Sequence, residues 1–253
     1  FRDPWTKGIG YGMNSLSRKR MNFEKVCENF VLKYSKNIIC ASIDLSKMID
    51  NQLSQYNKKS IVLINADFIT PINSRKNNKT QSSKNDFKLI HIGTIPLKTE
   101  KYWLKFLDLL QFSEYNIKLD IFSNNNISFF EEVCKRSKLQ IEFHDRLSSD
   151  QLRNKLDIYD ACVLFKMDDF PNTFPTKFFD YIRSKKPIIS FTKNGIFSDE
   201  LEHNNIGVAF NQNTTLNDFN SFLNSCQSLN YDNYDFSKFE ISNEVKKLIA
   251  IIE

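Results

Sequence analysis

Paired cysteines are missing from this sequence. Its five cysteines, Cys27, Cys40, Cys134, Cys162 and Cys226, are odd in number, widely spaced and never form a Cys-x-x-Cys. That excludes a disulfide framework or a zinc finger and points to reduced thiols buried in apolar runs. No aromatic–basic ribonucleoprotein box is present either, so nucleic acid is not an expected partner. No apolar run approaches the length of a membrane span, and no signal peptide opens the chain. Histidine is limited to His91, His144 and His203, none with a partner spaced for a metal or a nucleophile triad. Glycine is scarce at six residues while phenylalanine reaches 23. With abundant Lys, Asn, Ile and Ser, this reads as the base composition of an AT-rich genome and not as function. Phe1, not Met, opens the chain inside what reads as a structured segment, which leads one to expect a missing N-terminal piece.

What is there is an ordinary apolar content of 41% over 253 residues. That suffices for one large α/β domain, or for one domain and part of a second. The formal charge of +5 is mild and suits a polyanionic small ligand or an anionic membrane surface. From Phe87 onward, short apolar runs recur at 88–93, 117–122, 139–143, 161–165, 186–190 and 206–210. Each is rich in Ile, Val, Leu and Phe, as strands buried on both faces of a parallel sheet are. Helical patterns separate them. Trp103, Leu104, Leu107 and Leu110 mark a helix over 100–112, and further helices are predicted over 128–137, 148–156 and 176–184. Ser148 with Gln151 three residues on is a capping-box pattern. Strands alternating with helices predict a doubly wound parallel sheet with its ligand at the carboxyl ends of the strands. Before Phe87 lies a second α/β stretch, with helices over 18–34 and 42–53 and strands over 37–41 and 60–64. The polar segment from Asn73 is the best linker candidate. The chain closes on an amphipathic helix over 240–252, with Val245, Leu248, Ile249 and Ile252 on one side.

The segment that carries chemistry is Pro171–Ser190, between the strand ACVLF and the strand KPIIS. It therefore forms a strand-to-helix loop and the helix after it. Pro175 sits where a missing N–H costs a helix nothing, with Asn172 or Thr173 as cap. The N–H groups of Thr176, Lys177 and Phe178, the helix dipole and the Lys177 charge then make an anion site suited to a diphosphate. Asp180, one turn in, is placed to meet a vicinal diol. A Pro-Thr-Lys helix start is also a common way to begin any helix, and an early acid often only complements the dipole.

The run Pro175-Thr176-Lys177-Phe178-Phe179-Asp180-Tyr181, followed by Lys186-Pro187-Ile188-Ile189, resembles the signature of retaining GT-B glycosyltransferases of family 4, "glycosyl transferases group 1". Phe1-Arg2-Asp3-Pro4-Trp5, the stretch 34–42, Ile61–Phe68, Ile90–Thr94 and Asp199–Gly207 resemble further parts of that family in the right order, so the likeness covers nearly the whole chain. The resemblance implies a complete C-terminal donor domain and a partial N-terminal acceptor domain, both Rossmann-like. The implied boundaries are 1–72 for the acceptor side, 73–86 for the linker, 87–236 for the nucleotide-sugar domain and 237–253 for a helix packing back on the acceptor side.

The resemblance also implies site residues. Gly93, Thr94, Asn172, Thr173, Phe174, Pro175, Thr176 and Asp180 would bind the donor. Lys177 and Lys98 would neutralise the leaving diphosphate, and Asp3 and Trp5 would lie on the acceptor side. Two departures stand out. Asn172 occupies a position where the family carries Glu, and Lys98 is the nearest cation where the family has an Arg/Lys pair. No Asp-x-Asp occurs, which agrees with a metal-independent enzyme that needs no cofactor beyond its donor. The implied activity is sugar transfer, with retention, from a nucleotide diphosphate sugar to an acceptor hydroxyl. Bacterial surface polysaccharide, capsule or lipopolysaccharide synthesis is the implied setting, with a saccharide or lipid-linked acceptor. The protein would be cytoplasmic, with peripheral contact at the inner face of the plasma membrane. Two alternatives remain: a degenerate, non-catalytic nucleotide- or partner-binding module of the same fold, and a sugar-nucleotide 2-epimerase.

Overall fold

A computed structural model describes residues 5–6, 16–64, 85–123, 139–148, 151–152, 155–226, 228–229 and 231–253. In chain order the elements are α1 (Arg18–Tyr34), β1 (Ile39–Cys40), α2 (Ile43–Leu53), β2 (Ile61–Val62), β3 (Asp86–Ile92), α3 (Glu100–Phe112), β4 (Asn116–Phe122) and β5 (Gln140–His144). They continue with β6 (Ala161–Phe165), α4 (Thr176–Arg183), β7 (Ile188–Phe191), α5 (Ile196–His203), β8 (Gly207–Phe210), α6 (Leu216–Cys226) and α7 (Ile241–Ile252), with short 3₁₀ turns between some of them. The predicted helix over 128–137, residues 73–84 of the linker, Cys134 and Asp3 lie outside the described residues.

The chain divides into two compact units. One holds the residues before 69 together with Asn172–Phe174 and Phe236–Glu253. The other holds Ile69–Pro171 and Pro175–Asp235. In the first, β1 and β2 pair in parallel, and Leu32, Ile38, Cys40, Leu45, Ile49 and Leu53 form the core. Ser17 and Ser42 start the two helices by accepting from Arg20 N–H and Leu45 N–H, as caps of this type do. Helix α7 forms where its periodicity places it, but Val245, Ile249 and Ile252 are exposed and Glu244 is buried instead, held to Lys247. Its apolar side is therefore not its seat among the described residues. Asn37 ties it down by donating to the carbonyl of Ile251 (3.3 Å).

The second unit is a six-stranded parallel sheet of order β5-β4-β3-β6-β7-β8. The order runs outward both ways from the β3/β6 pair, which is the doubly wound arrangement the alternating pattern predicts. Every residue of β6 and β7 is buried, which explains why they read as continuous apolar runs and not as alternation. One face of the sheet packs on an aromatic core in which Trp103 stacks on Phe165, ring centres 3.6 Å apart, with Phe106, Phe191 and Phe219 around them. Trp103 is fully buried, and side chains of this kind contribute about 1.5–3 kcal/mol each. At the sheet's edge Gly207 lies so close to β7 that a Cβ there would stand 2.3 Å from the Ile188 carbonyl oxygen.

The predicted capping box forms: Gln151 N–H donates to Ser148 Oγ and Ser148 N–H to the Gln151 side chain. The described cysteines, Cys27, Cys40, Cys162 and Cys226, are all free thiols. Among the described residues no helix is long and apolar enough to cross a membrane.

Candidate functional site

The carboxyl ends of β3, β4, β5 and β6 open on a cavity of about 310 Å³, within the range of small-ligand sites. Its walls come from the residues that follow each strand: Gly93 and Thr94 after β3, Ser123 after β4, Arg146 after β5, and Pro175, Thr176 and Lys177 at the start of α4. His91, Leu164 and Phe165 line it from the strands themselves. Hydrogen bonds continue past the strand ends, from Gly93 N–H to Phe122 (2.9 Å) and from Ser123 N–H to His144 (3.2 Å), and fix the rim.

Helix α4 is aimed at this cavity by its own residues. Phe178, Phe179 and Ile182 bury its inner side. Tyr181, fully buried, accepts from Ile92 N–H (3.2 Å) and donates to the Val163 carbonyl (3.4 Å), which locks the helix onto β3 and β6. That burial holds the phenol well above its ordinary pKa. The helix begins at Thr176 as predicted, with Pro175 as its N-cap and no side chain capping it. Asn172 and Thr173 do not cap. Asn172 is engaged by Asp44, and the Thr173 hydroxyl is buried with no hydrogen-bond partner among the described residues. Phe178 N–H is already bonded to the Pro175 carbonyl (3.0 Å), which leaves the N–H groups of Thr176 and Lys177 as the candidates for the predicted anion contact.

Lys177 reaches back over Gly93. A Cβ at Gly93 would meet its Cγ at 3.8 Å and its Cε at 3.9 Å, and Gly93 itself takes φ +112°, a conformation glycine alone adopts freely. Lys177 Nζ donates to Asp180 (3.2 Å), with Arg183 a further 4.0 Å contact of the same carboxylate. The structure thus gathers Gly93, Thr94, Pro175, Thr176 and Lys177 into one cavity, with Asp180 linked to it through Lys177.

The remaining predicted residues fall elsewhere. Lys98 donates to Asp169 (2.6 Å) and does not line the cavity. Asn172 and Phe174 belong to the first unit, where Phe174 packs edge-on against Phe239. Trp5 donates from its indole to Glu24 (2.9 Å), and Asp3 lies outside the described residues.

Three residues escaped the sequence reading. Arg146 lines the cavity from a polar loop that carries no motif. His91 is buried at the carboxyl end of β3. Its ring lines the cavity, bonds the Val163 carbonyl (3.0 Å) and meets Trp103 edge-on. Burial pushes its pKa down to about 4, so the ring is neutral near pH 7 and bears its proton on the nitrogen facing Val163. His144 does have acidic neighbours, since the parallel register of β4 and β5 brings it to Asp120 (3.2 Å) and Glu142 (3.8 Å). Lys118, 2.7 Å from Glu142, compensates that cluster from within.

No family model matches the sequence, and no curated protein does. Solved structures do match in shape. The lipopolysaccharide outer core galactosyltransferase WaaB, in its apo form, aligns with TM-score 0.58 at 14% identity, covering 87% of this chain and 62% of WaaB. HepE of Anabaena, in complex with UDP and glucose, gives 0.59 at 13% identity over 94% of this chain and 68% of HepE. The fold is that of the GT-B glycosyltransferases. TarM agrees, with TM-score 0.64 at 14% identity over 90% of this chain. The chain spans less than two thirds of WaaB and less than half of TarM. Within the GT-B fold the cavity lies beside the β3/β6 switch point, where doubly wound sheets bind ligands.

Proposed function

We propose that the chain is part of a glycosyltransferase that moves a sugar, with retained configuration, from a nucleotide diphosphate sugar to an acceptor hydroxyl. The observation that carries the reading is Lys177 lying over Gly93 at the N-terminus of α4, inside a cavity at the carboxyl ends of the strands. A diphosphate leaving group concentrates negative charge, and its departure is eased by fixed positive ends already in place. Lys177 and the N–H groups of Thr176 and Lys177 supply these without a metal ion or cofactor. Asp180 would take the ribose hydroxyls once the diphosphate draws Lys177 away from it. HepE, of the same fold, was crystallised with UDP and glucose, which supports a uridine donor here.

On this reading the first unit is the acceptor side, residues 237–253 belong with it, and Trp5 supports it. The acceptor is a saccharide or lipid-linked saccharide of bacterial surface polysaccharide synthesis. The mild basic charge suits peripheral contact with the inner face of the plasma membrane. The test is calorimetry of this chain with UDP, GDP, CDP and ADP, followed by assay of the responding nucleotide's sugars for sugar release and its anomeric outcome. Binding of no nucleoside diphosphate would sink the proposal.

One observation favours a second reading, a binding module without turnover. The position that would present a carboxylate is Asn172, and it is held by Asp44. Tight nucleotide binding without sugar release from any donor, in a longer polypeptide as well as in this chain, would decide for it.

A further inference from the structure

We propose that helix α1 is a membrane-surface helix that lays an outward apolar stripe on a bilayer of anionic lipid. The inference rests on the peripheral membrane contact proposed above and supplies its site. Phe23, Val26, Phe30 and Tyr34 recur at i, i+3, i+7 and i+11, which puts all four on one side of the helix. They are 57%, 67%, 63% and 64% exposed, while Glu28 and Leu32 seat the helix by its other side. At 17 residues the helix is about 25 Å long. A continuous row of large apolar side chains in water marks a docking surface.

The charges decide the occupant. Every exposed charge on α1 is positive: Arg18, Lys19, Arg20, Lys25 and Lys33. Its two acids are engaged elsewhere, Glu24 with Arg20 and the Trp5 indole and Glu28, buried, with Thr6. A second copy of this chain would set the same cations against one another, a juxtaposition that opposes binding. An anionic bilayer attracts them instead, by about fivefold in affinity for each cation near its surface. Two of the cations lie against rings of the stripe, Arg20 over Phe23 (5.4 Å) and Lys33 over Tyr34 (5.2 Å). Aromatic and cationic groups thus reach the same depth, as they do at the headgroup level of a membrane. The helix is too polar to cross a bilayer and fits one lying in the interface.

The experiment is co-sedimentation of this chain with vesicles of phosphatidylcholine alone and of phosphatidylcholine mixed with phosphatidylglycerol. Wild type should pellet with the mixed vesicles and not with the neutral ones, and high salt should release it. Phe23→Ser combined with Phe30→Ser should weaken binding by about tenfold or more, and Lys19→Gln combined with Lys33→Gln by about twenty-five-fold. All four side chains are exposed, so both double variants should unfold at the wild-type temperature, which separates a lost contact from a lost fold. A wild type that ignores the mixed vesicles, or double variants that bind them as wild type does, would overturn the proposal. So would a wild-type dimer that the phenylalanine variant dissolves into monomers, which would assign the stripe to a second copy. Nucleotide calorimetry on the same chain keeps the two readings apart. Nucleotide binding without vesicle binding removes only the membrane helix, and vesicle binding without nucleotide binding removes only sugar transfer.

Discussion

Asp44 accepts two hydrogen bonds from Asn172, one from its backbone N–H and one from its side-chain amide, each 2.7 Å long. A glutamate at 172, the residue the resembling family carries there, would set two carboxylates face to face. Asn172→Glu is expected to destabilise the first unit by about 1–3 kcal/mol, as removal of a donor from a charged acceptor does. Asp44→Asn in that background should recover most of the loss, because the two sites share one interaction. Chemical unfolding of the single and double variants checks this, and an Asn172→Glu chain as stable as wild type would refute it.

The two lysines proposed to neutralise the diphosphate are expected to behave differently. Lys177 lies over Gly93 in the cavity, while Lys98 is paired with Asp169 outside it. Lys177→Ala should weaken UDP or GDP binding by about ten- to hundredfold, the worth of a charged hydrogen bond. Lys98→Ala should leave the affinity nearly unchanged. Calorimetry on both variants decides, and an equal loss from Lys98→Ala would return that residue to the site.

His91 gives the fold a pH dependence. Its pKa in the folded chain is about 4, against 6.5 when unfolded, because burial disfavours the cation. In that interval the unfolded chain binds the proton and the folded chain does not, so stability falls as pH is lowered from 6.5 toward 4. The full effect is about 3 kcal/mol at most. Thermal unfolding between pH 4 and 7 should show the decline in wild type and a flatter profile in His91→Gln. Identical profiles would mean that His91 does not carry it.

Two glycines should fail for different reasons when replaced by alanine. At Gly207 the added Cβ would stand 2.3 Å from a backbone oxygen of β7, so the edge of the sheet must shift. At Gly93 the added Cβ finds only ordinary contacts, and the cost lies in φ +112°. Gly207→Ala is expected to lose about 3 kcal/mol and Gly93→Ala about 1–2 kcal/mol. Gly93→Ala should also lower nucleotide affinity, because the loop under Lys177 must change course. Unfolding and binding measured on both variants test the order.

Local signals were legible in the sequence because local physics decides them. Helices α1 and α3 run over the residues their periodicity marks, and β6 occupies the whole apolar run 161–165. The helix start at Thr176 and Lys177 was legible for the same reason, since it is built from consecutive residues. What was hidden depends on partners far along the chain. Asn172 looked like a cap until Asp44, on α2, claimed both of its donors. Lys98 looked available until Asp169 met it. Arg146 and the His144 cluster come to their places through the register of β4 with β5, which no spacing in the sequence records.

Of the chain's two tryptophans, Trp103 is fully buried with one face stacked on Phe165 and an edge-on contact to His91, both of which line the cavity. The indole is thus an optical probe seated one side chain behind the site. A ligand that displaces the Phe165 ring, or a proton that settles on His91, would alter the quenching of its emission without any label, and a titration read in a fluorimeter would follow both events from inside the core.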